Sequence, residues 1–186
     1  MEATMFRLTD ALRLARLDRG VIRLSVELDD CSVDEFLDEF AYVQSVPDIN
    51  AITLEIMCPG GECYPAFGAY DVIVASPKPV TGVVVGYAAS AAAMIVLQAC
   101  GWRVAYPHAR FLIHEIRELR FGLEKLSSAE DNARELGAVQ DTIIDLLARR
   151  TGKSEEAIKL VIERREYWMS AREALEFGLI DRILGP

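Results

Sequence analysis

Ser90 and His114 are the residues of this 186-residue chain whose types and setting best suit acyl-transfer chemistry. Ser90 follows a β-branched run that ends at Gly86, and small alanines flank it on both sides. A serine at a strand-to-helix junction is usually only an N-cap. Here, however, the free N–H groups of a helix N-terminus would favour developing negative charge, and the small neighbours leave room for a substrate backbone. Ser90 is therefore a candidate nucleophile.

A serine hydroxyl needs a base at neutral pH, and the chain contains only two histidines. His114 ends the apolar segment Phe111–Ile113, where its side chain would emerge from a sheet into a cleft. His108 lies in a turn after Pro107 and is expected to be exposed. Position alone would equally allow a core or surface role for His114. Its pairing with Ser90 makes it the candidate general base.

The Pro59-Gly60-Gly61 loop has two interpretations from the residues alone. It is either a plain turn, since glycine tolerates unusual backbone angles, or a loop that presents an amide N–H to an oxyanion.

Cys63 and Cys100 have no histidine that the pattern places beside them, so we assign both to packing. We find no GxxxxGK[ST] phosphate-binding run, and the cysteine spacing matches no zinc pattern, so we expect neither cofactor nor metal.

The elements that must position these residues alternate between strands and helices, which predicts an α/β domain. Alternating or continuous apolar residues predict strands at 21–28, 51–57 and 80–85, with short strands at 103–105 and 111–113 and an extended segment at 166–169. Helices are predicted at about 32–44, 64–75, 90–100, 128–150 and 154–165, with a last one from 170 to 178. Ser32 with Glu35, Ser127 with Glu130, and Ser170 with Glu173 are the predicted capping boxes, and Ser154 is a predicted single cap. We expect an N-terminal arm at 1–20 and one domain at 21–186.

Composition argues against several classes of protein. The formal net charge of -9 disfavours binding to nucleic acid or to an anionic membrane surface, because phosphates need clustered Lys and Arg. The uncharged stretch 79–102 is long enough to cross a bilayer, but a buried strand followed by a buried helix explains it better. The four cysteines are expected to be free thiols, and no secretory leader is expected, so the sequence predicts a cytoplasmic protein.

Four motifs in register resemble the Clp protease proteolytic subunit. They are Cys58-Pro-Gly-Gly, Gly86-Tyr-Ala-Ala-Ser90-Ala, Phe111-Leu-Ile-His114 and Trp168-Met-Ser-Ala-Arg-Glu-Ala-Leu-Glu-Phe-Gly-Leu-Ile-Asp181. Their order and spacing match the family throughout, and the similarity runs from about Val21 to Leu184. Together they are far more specific than any one of them.

The resemblance implies a crotonase-like α/β fold of repeated β-β-α units with a long handle helix. It implies a serine endopeptidase that cleaves peptides or unfolded proteins inside a chamber of homo-oligomeric, seven-membered rings, with an AAA+ ATPase as possible partner. Ser90 and His114 fall on the nucleophile and base of a Ser-His-Asp triad. The backbone N–H groups of Gly61 and Ala91 fall on the oxyanion donors.

The chain departs from the family at two places. The aspartate position holds Glu166, which we expect to orient the imidazole, with Glu163 or a water-mediated arrangement as the alternative. After His114 the family continues with Gln-Pro and a glycine-rich strand that pairs two rings, whereas this chain has the charged segment 115–122. A double or a single ring is therefore left open. The alternatives to a peptidase are a non-catalytic ring subunit and a crotonase-type acyl-CoA enzyme.

Overall fold

A computed structural model describes residues 8–117, 126–163 and 165–185. Within these residues the chain forms one mixed sheet of seven strands. The strands are β1 (Val21–Leu24), β2 (Ile52–Cys58), β3 (Val80–Ala89), β4 (Trp102–Ala105), β5 (Arg110–His114), β6 (Glu166–Ser170) and β7 (Arg182–Ile183). The helices are α1 (Leu8–Leu17), α2 (Asp30–Ser45), α3 (Cys63–Val74), α4 (Leu97–Ala99), α5 (Leu126–Thr151), α6 (Glu155–Ile162) and α7 (Ala171–Phe177).

The sheet has a parallel layer and a smaller extension that starts from its longest strand. Strands β1, β2, β3, β4 and β7 lie side by side in that order, all parallel. The first half of β3 pairs with β4, whereas its second half, from Tyr87 to Ala89, pairs with β5. Strand β6 then runs antiparallel to β5. The α/β fold class is thus confirmed, and β3 is the element that links the two parts of the sheet.

Two strand boundaries differ from the prediction. Strand β1 ends at Leu24 instead of Leu28, and Leu28 instead forms an isolated bridge with Gly61. Strand β3 continues to Ala89 instead of ending at Val85. Gly86 has φ +82°, so the chain changes direction there and then resumes pairing beside β5. The longer β3 carries the chain directly to Ser90.

The capping predictions were partly right. Asp29, not Ser32, caps α2: the Asp29 carboxylate accepts a hydrogen bond from the Ser32 amide, and the Ser32 hydroxyl accepts one from the Asp29 amide. A reciprocal cap of this kind starts the helix at Asp30. The predicted box of Ser170 and Glu173 is confirmed at the start of α7, and the Ser154 hydroxyl caps α6.

The helix predicted at 90–100 is shorter and less regular than expected. A π-helical turn, Ala92–Val96, precedes α4, and every residue of that turn is buried. The side-chain amide of Gln98 donates to the carbonyl oxygen of Ala93 at 2.8 Å, which satisfies an acceptor inside the irregular turn. No helix in the described part of the chain has the length and apolar character needed to cross a membrane.

Helix α1 lies on the region predicted as an arm. Leu17 is buried, and both Arg13 and Arg16 form ion pairs with the largely buried Glu39 of α2. These contacts tie residues 8–17 to the α/β layer. The division into an arm at 1–20 and a domain at 21–186 stays a prediction.

Candidate active site

Ser90 occupies the turn between β3 and the π-helical turn. Its amide donates to the carbonyl of Leu112 on β5 at 2.9 Å, and its carbonyl accepts from the amides of Ala93 and Met94. Ser90 has φ +53°, and within the described residues no other residue besides glycine has a positive φ. A serine in this left-handed conformation costs on the order of 1 kcal/mol, so the surrounding contacts must hold it there. The strained turn presents the half-buried hydroxyl at the end of the strand.

His114 reaches Ser90 because β5 runs beside the second half of β3. Ala89, the last residue of β3, is the register partner of Leu112 in β5. Ser90 follows Ala89 and therefore lies near the end of β5. The Nε2 atom of His114 lies 2.9 Å from the Ser90 hydroxyl oxygen. That is hydrogen-bond distance, and it joins two side chains 24 positions apart in sequence. The structure therefore brings the predicted nucleophile and base together.

The other ring nitrogen of His114 faces the backbone. Nδ1 lies in close contact with the carbonyl oxygen of the next residue, Glu115. A proton on Nδ1 would be donated to this carbonyl oxygen, since the carbonyl can only accept. That tautomer leaves Nε2 unprotonated, so Nε2 can accept the hydroxyl proton of Ser90. A backbone carbonyl thus stands where a triad carboxylate would act.

Glu166 lies opposite His114, but its carboxylate is bound elsewhere. The two residues are direct register partners between β5 and β6. The carboxylate of Glu166 accepts a 2.5 Å hydrogen bond from the Arg117 guanidinium, and the Arg117 and Glu166 side chains are 63% and 49% exposed. The hydrogen bond and charge of Arg117 lower the pKa of Glu166, with smaller contributions from a Trp168 hydrogen bond and the charge of His114. Glu166 is therefore an ionised group beside the histidine.

The glycine loop packs directly against Ser90. Gly60 has φ +92°, and a Cβ atom placed on it would lie 2.6 Å from the Ser90 Cβ and 2.9 Å from the Ala91 amide nitrogen. Gly61 has φ +147°, and a Cβ there would lie 2.2 Å from the Leu28 carbonyl oxygen. Neither position has room for a side chain. The loop is consequently as close to Ser90 as backbone can be.

Hydrogen bonds of Leu28 and Cys58 hold this loop from the opposite side. Leu28 donates its amide to the carbonyl of Gly60 and accepts the amide of Glu62, both at 2.8 Å. The Cys58 thiol donates to the carbonyl of Val26 at 3.0 Å, and its sulfur accepts the Gly60 amide at 3.4 Å. The amides that the sequence predicts as oxyanion donors belong to Gly61 on this loop and to Ala91, directly after Ser90.

The remaining candidate residues differ in exposure and reactivity. His108 is exposed in the turn after β4, and Glu163 is exposed at the end of α6, next to Ile162, whose carbonyl accepts the Glu115 amide. Burial raises the pKa of the Cys63 thiol, and it raises the pKa of the Cys100 thiol to about 12. Thiols held protonated in this way are poor nucleophiles. The described residues contain no group of three or more His, Cys, Asp or Glu side chains arranged to hold a metal ion.

Sequence reasoning missed three contributors to the site. Arg117 was seen only as part of a charged segment, Cys58 only as part of a motif, and the Glu115 carbonyl carries no side-chain signal at all. Arg117 follows His114 by three positions at a strand end, which could have drawn attention to it. Of the segment 115–122, residues 118–122 lie outside the described residues.

Comparison with known proteins places the chain in a family. The family model described as Clp protease matches residues 7–186. The ATP-dependent Clp protease proteolytic subunit 1 of Chlamydia muridarum is 35% identical over 181 residues, covering 97% of this chain and 94% of that protein. The ATP-dependent Clp protease proteolytic subunit of Bacteroides fragilis is 32% identical over 176 residues, covering 94% and 83%. This chain therefore belongs to the Clp protease family and is a serine-type peptidase.

Proposed function

We propose that Ser90 is the nucleophile of this peptidase and that His114 is its general base. The observation that carries the proposal is the 2.9 Å contact between the His114 Nε2 atom and the Ser90 hydroxyl oxygen. This distance lies inside the range in which a base can take a hydroxyl proton. The strained backbone of Ser90 and the alanines around it support the same role, because they expose the hydroxyl without a bulky neighbour.

The reaction follows from these positions. The Ser90 oxygen attacks the scissile carbonyl carbon while Nε2 of His114 takes the hydroxyl proton. The carbonyl oxygen becomes an oxyanion, and the amides of Gly61 and Ala91 are the proposed donors to it. The tetrahedral intermediate collapses when Nε2 returns the proton to the leaving amine. Water, activated by the same histidine, then releases the acyl group from Ser90.

Glu166 is the proposed acidic member of the triad. Its support is its place opposite His114 in the β5–β6 register and its ionised state. A carboxylate near the ring stabilises the imidazolium that forms during the reaction. The crotonase-type acyl-CoA alternative gains no support from the family assignment.

The assembly and location belong to the same proposal. The relatives are named as proteolytic subunits of an ATP-dependent protease, which supports an ATPase partner and an oligomeric protease. The proposed partner is an AAA+ ATPase, and the proposed assembly is homo-oligomeric rings of seven, single or double. Substrates would then be peptides or unfolded proteins that enter a chamber. All four cysteines are free in the structure, which supports a reducing compartment such as the cytoplasm.

The test is covalent labelling with a fluorophosphonate, followed by intact-mass measurement. We expect one adduct on the wild-type protein, none on Ser90→Ala, and strongly slowed labelling of His114→Ala. Ser25→Ala and His108→Ala are matched controls, because both residues are exposed and neither belongs to the proposed site, and both should label normally. An adduct that persists on Ser90→Ala would contradict the assignment. Failure to label an assembled wild-type particle would favour a non-catalytic ring subunit.

A further inference from the structure

We propose that Arg117 competes with His114 for the Glu166 carboxylate and so limits how strongly Glu166 assists the base. Arg117 is then a positioning residue that acts on the reaction through Glu166. This inference rests on the proposed roles of Ser90, His114 and Glu166. It starts from an arrangement in which the predicted acid is beside the histidine but bound to an arginine.

The register places Glu166 within reach of both partners. Direct partners in an antiparallel pair have Cβ atoms about 5 Å apart, so the Glu166 side chain can approach the His114 ring. Arg117 lies three residues beyond His114 and approaches the same carboxylate from the end of β5. One carboxylate thus has two cationic or potentially cationic neighbours, and in the structure it is paired with Arg117.

The Nδ1 atom of His114 contacts a backbone carbonyl and not the Glu166 carboxylate. With Glu166 held by Arg117, Nδ1 is satisfied by the Glu115 carbonyl. A neutral carbonyl selects the tautomer that a base needs, but it lacks the full negative charge that stabilises imidazolium. A carboxylate in place of this carbonyl would both select the tautomer and stabilise the imidazolium. The paired arrangement therefore keeps the base correctly oriented while weakening its electrostatic support.

The surroundings leave room for an exchange of partners. A cleft of about 410 Å³ opens on this side of His114. It is lined by His114, Glu115, Ile116, Arg117, Arg165 and Glu166. Arg165 is not an equivalent competitor, because its guanidinium donates to the carbonyls of Leu160 and Val161 and lies over the Tyr167 ring.

The charged and titratable groups that bear on Glu166 come from three elements. His114, Glu115 and Arg117 belong to the end of β5 and the chain after it, Arg165 immediately precedes β6, and Glu163 ends the neighbouring helix α6. Among these described groups, only Arg117 carries a charge that is both close to the carboxylate and hydrogen-bonded to it. Removing that one charge is therefore the direct way to release Glu166.

The expected effect is modest because the pair is exposed. Exposed ion pairs contribute between about 0 and 1 kcal/mol, and the upper limit corresponds to about a fivefold change in an equilibrium. We therefore expect Arg117→Met to raise kcat/KM for a peptide substrate by about two- to fivefold. The methionine keeps a long apolar stem and removes the charge. Arg117→Lys keeps a positive charge and should stay near the wild-type value.

The decisive experiment is a double-mutant cycle on the assembled, full-length particle. Steady-state kcat/KM is measured for wild type, Arg117→Met, Glu166→Gln and the double variant, over about pH 5 to 9. The gain from Arg117→Met should vanish in the Glu166→Gln background. The acid limb of the profile should move to higher pH in Arg117→Met alone, because a freed carboxylate favours imidazolium. Arg110→Met, at the exposed opposite end of β5, is the matched control and should change neither property.

Three results would overturn the inference. Arg117→Met could lower kcat/KM as much as Glu166→Gln does, which would mean that the ion pair itself is the productive arrangement. It could change kcat/KM equally in both backgrounds, which would mean that Arg117 acts independently of Glu166. If no variant, including wild type, hydrolysed peptide or accepted a fluorophosphonate, the proposed function would fail and this inference with it. Sedimentation velocity on every variant separates these outcomes from loss of assembly.

Discussion

The proposed nucleophile and the proposed acid of this site are built in different ways. Ser90 follows the buried end of β3 and is tied to β5 by a backbone hydrogen bond, with Gly60 packed against it. Glu166 lies at the first position of β6, half exposed, and its carboxylate is held by an exposed arginine. The position of Ser90 thus depends on close-packed backbone, whereas that of the Glu166 carboxylate depends on two long side chains in solvent.

This difference teaches which parts of the catalytic geometry the isolated subunit sets firmly. Moving Ser90 relative to His114 would require separating β3 from β5, which would break several backbone hydrogen bonds in the core. Moving Glu166 from Arg117 to His114 requires only rotation of side chains. We therefore expect the nucleophile and base to be insensitive to surroundings and the acid to respond to them.

The largest expected contrast is between the base and the acid. His114→Ala should lower kcat by about 10³- to 10⁴-fold, because no other described side chain is shown within hydrogen-bond distance of the Ser90 hydroxyl to take its proton. Glu166→Gln should lower it by less than about tenfold, because the Glu115 carbonyl already orients the ring. Steady-state kinetics on assembled protein measures both. Losses of equal size would show that the carboxylate contributes as fully as an aspartate in a complete triad.

The glycine loop tests how firmly backbone sets the nucleophile side. Gly60→Ala should lower kcat by about 10²-fold or more, because its Cβ would push against Ser90 and the Ala91 amide. Gly68→Ala is the matched control, since Gly68 lies in α3 where an added Cβ would meet no neighbouring atom within 4 Å, and it should keep full activity. Near-normal turnover by Gly60→Ala would mean that this loop can relax without harm to the reaction.

A buried ion pair provides the counterpart to the exposed pair of Arg117 and Glu166. The carboxylate of Asp181 accepts two hydrogen bonds from the nearly buried Arg103 guanidinium and one from the Arg103 amide. Asp181→Ala should lower the free energy of unfolding by about 2 to 3 kcal/mol, because the buried arginine loses its charged partner and keeps the neutral acceptors of Gln98 and Arg150. Chemical denaturation measures this, and Glu166→Ala should change it by less than about 1 kcal/mol.

The same pair predicts a pH dependence. Burial acts to raise the pKa of Asp181, but hydrogen bonds and charge from Arg103 outweigh it and leave that pKa below the usual 3.8. Because the pKa of Asp181 is lower in the folded state, Asp181 of the unfolded chain binds a proton more readily. The stabilisation by the ionised Asp181 is therefore present above about pH 4 and is lost as the pH falls through the lowered pKa. The difference in the free energy of unfolding between wild type and Asp181→Ala should therefore shrink as the pH falls below the lowered pKa of Asp181.

The smallest expected effect concerns Cys58. Its thiol bridges the Val26 carbonyl and the Gly60 amide, and burial raises its pKa to about 11, so it stays protonated and able to donate. Cys58→Ala should lower kcat by a few-fold to about tenfold, with little change in KM, since it loosens the glycine loop that carries a proposed oxyanion donor. Cys58→Ser should restore the rate, because a hydroxyl can make both contacts. A change confined to KM would argue against a role in positioning the loop.

Much of the fold was predictable because its signals are local. Period-two and continuous apolar runs indicated β2, β3 and β5, and capping serines marked the starts of α6 and α7. The misplaced start of α2 shows the limit of such signals, since Asp29 and Ser32 can both cap and only the actual hydrogen bonds decide between them. The extension of β3 past Gly86 depended on β5 as a neighbour, which no local pattern reveals.

By itself, the sequence determined the residue types and their order: a serine among alanines, one histidine at a strand end, and two glycines after a strand. Only the tertiary structure decided that Nε2 of His114 lies at the Ser90 hydroxyl and that Glu166 is paired with Arg117. The physical reason is that hydrophobic periodicity sets backbone elements, whereas the partner of an exposed charged side chain depends on strand register and on which groups compete within a few ångströms.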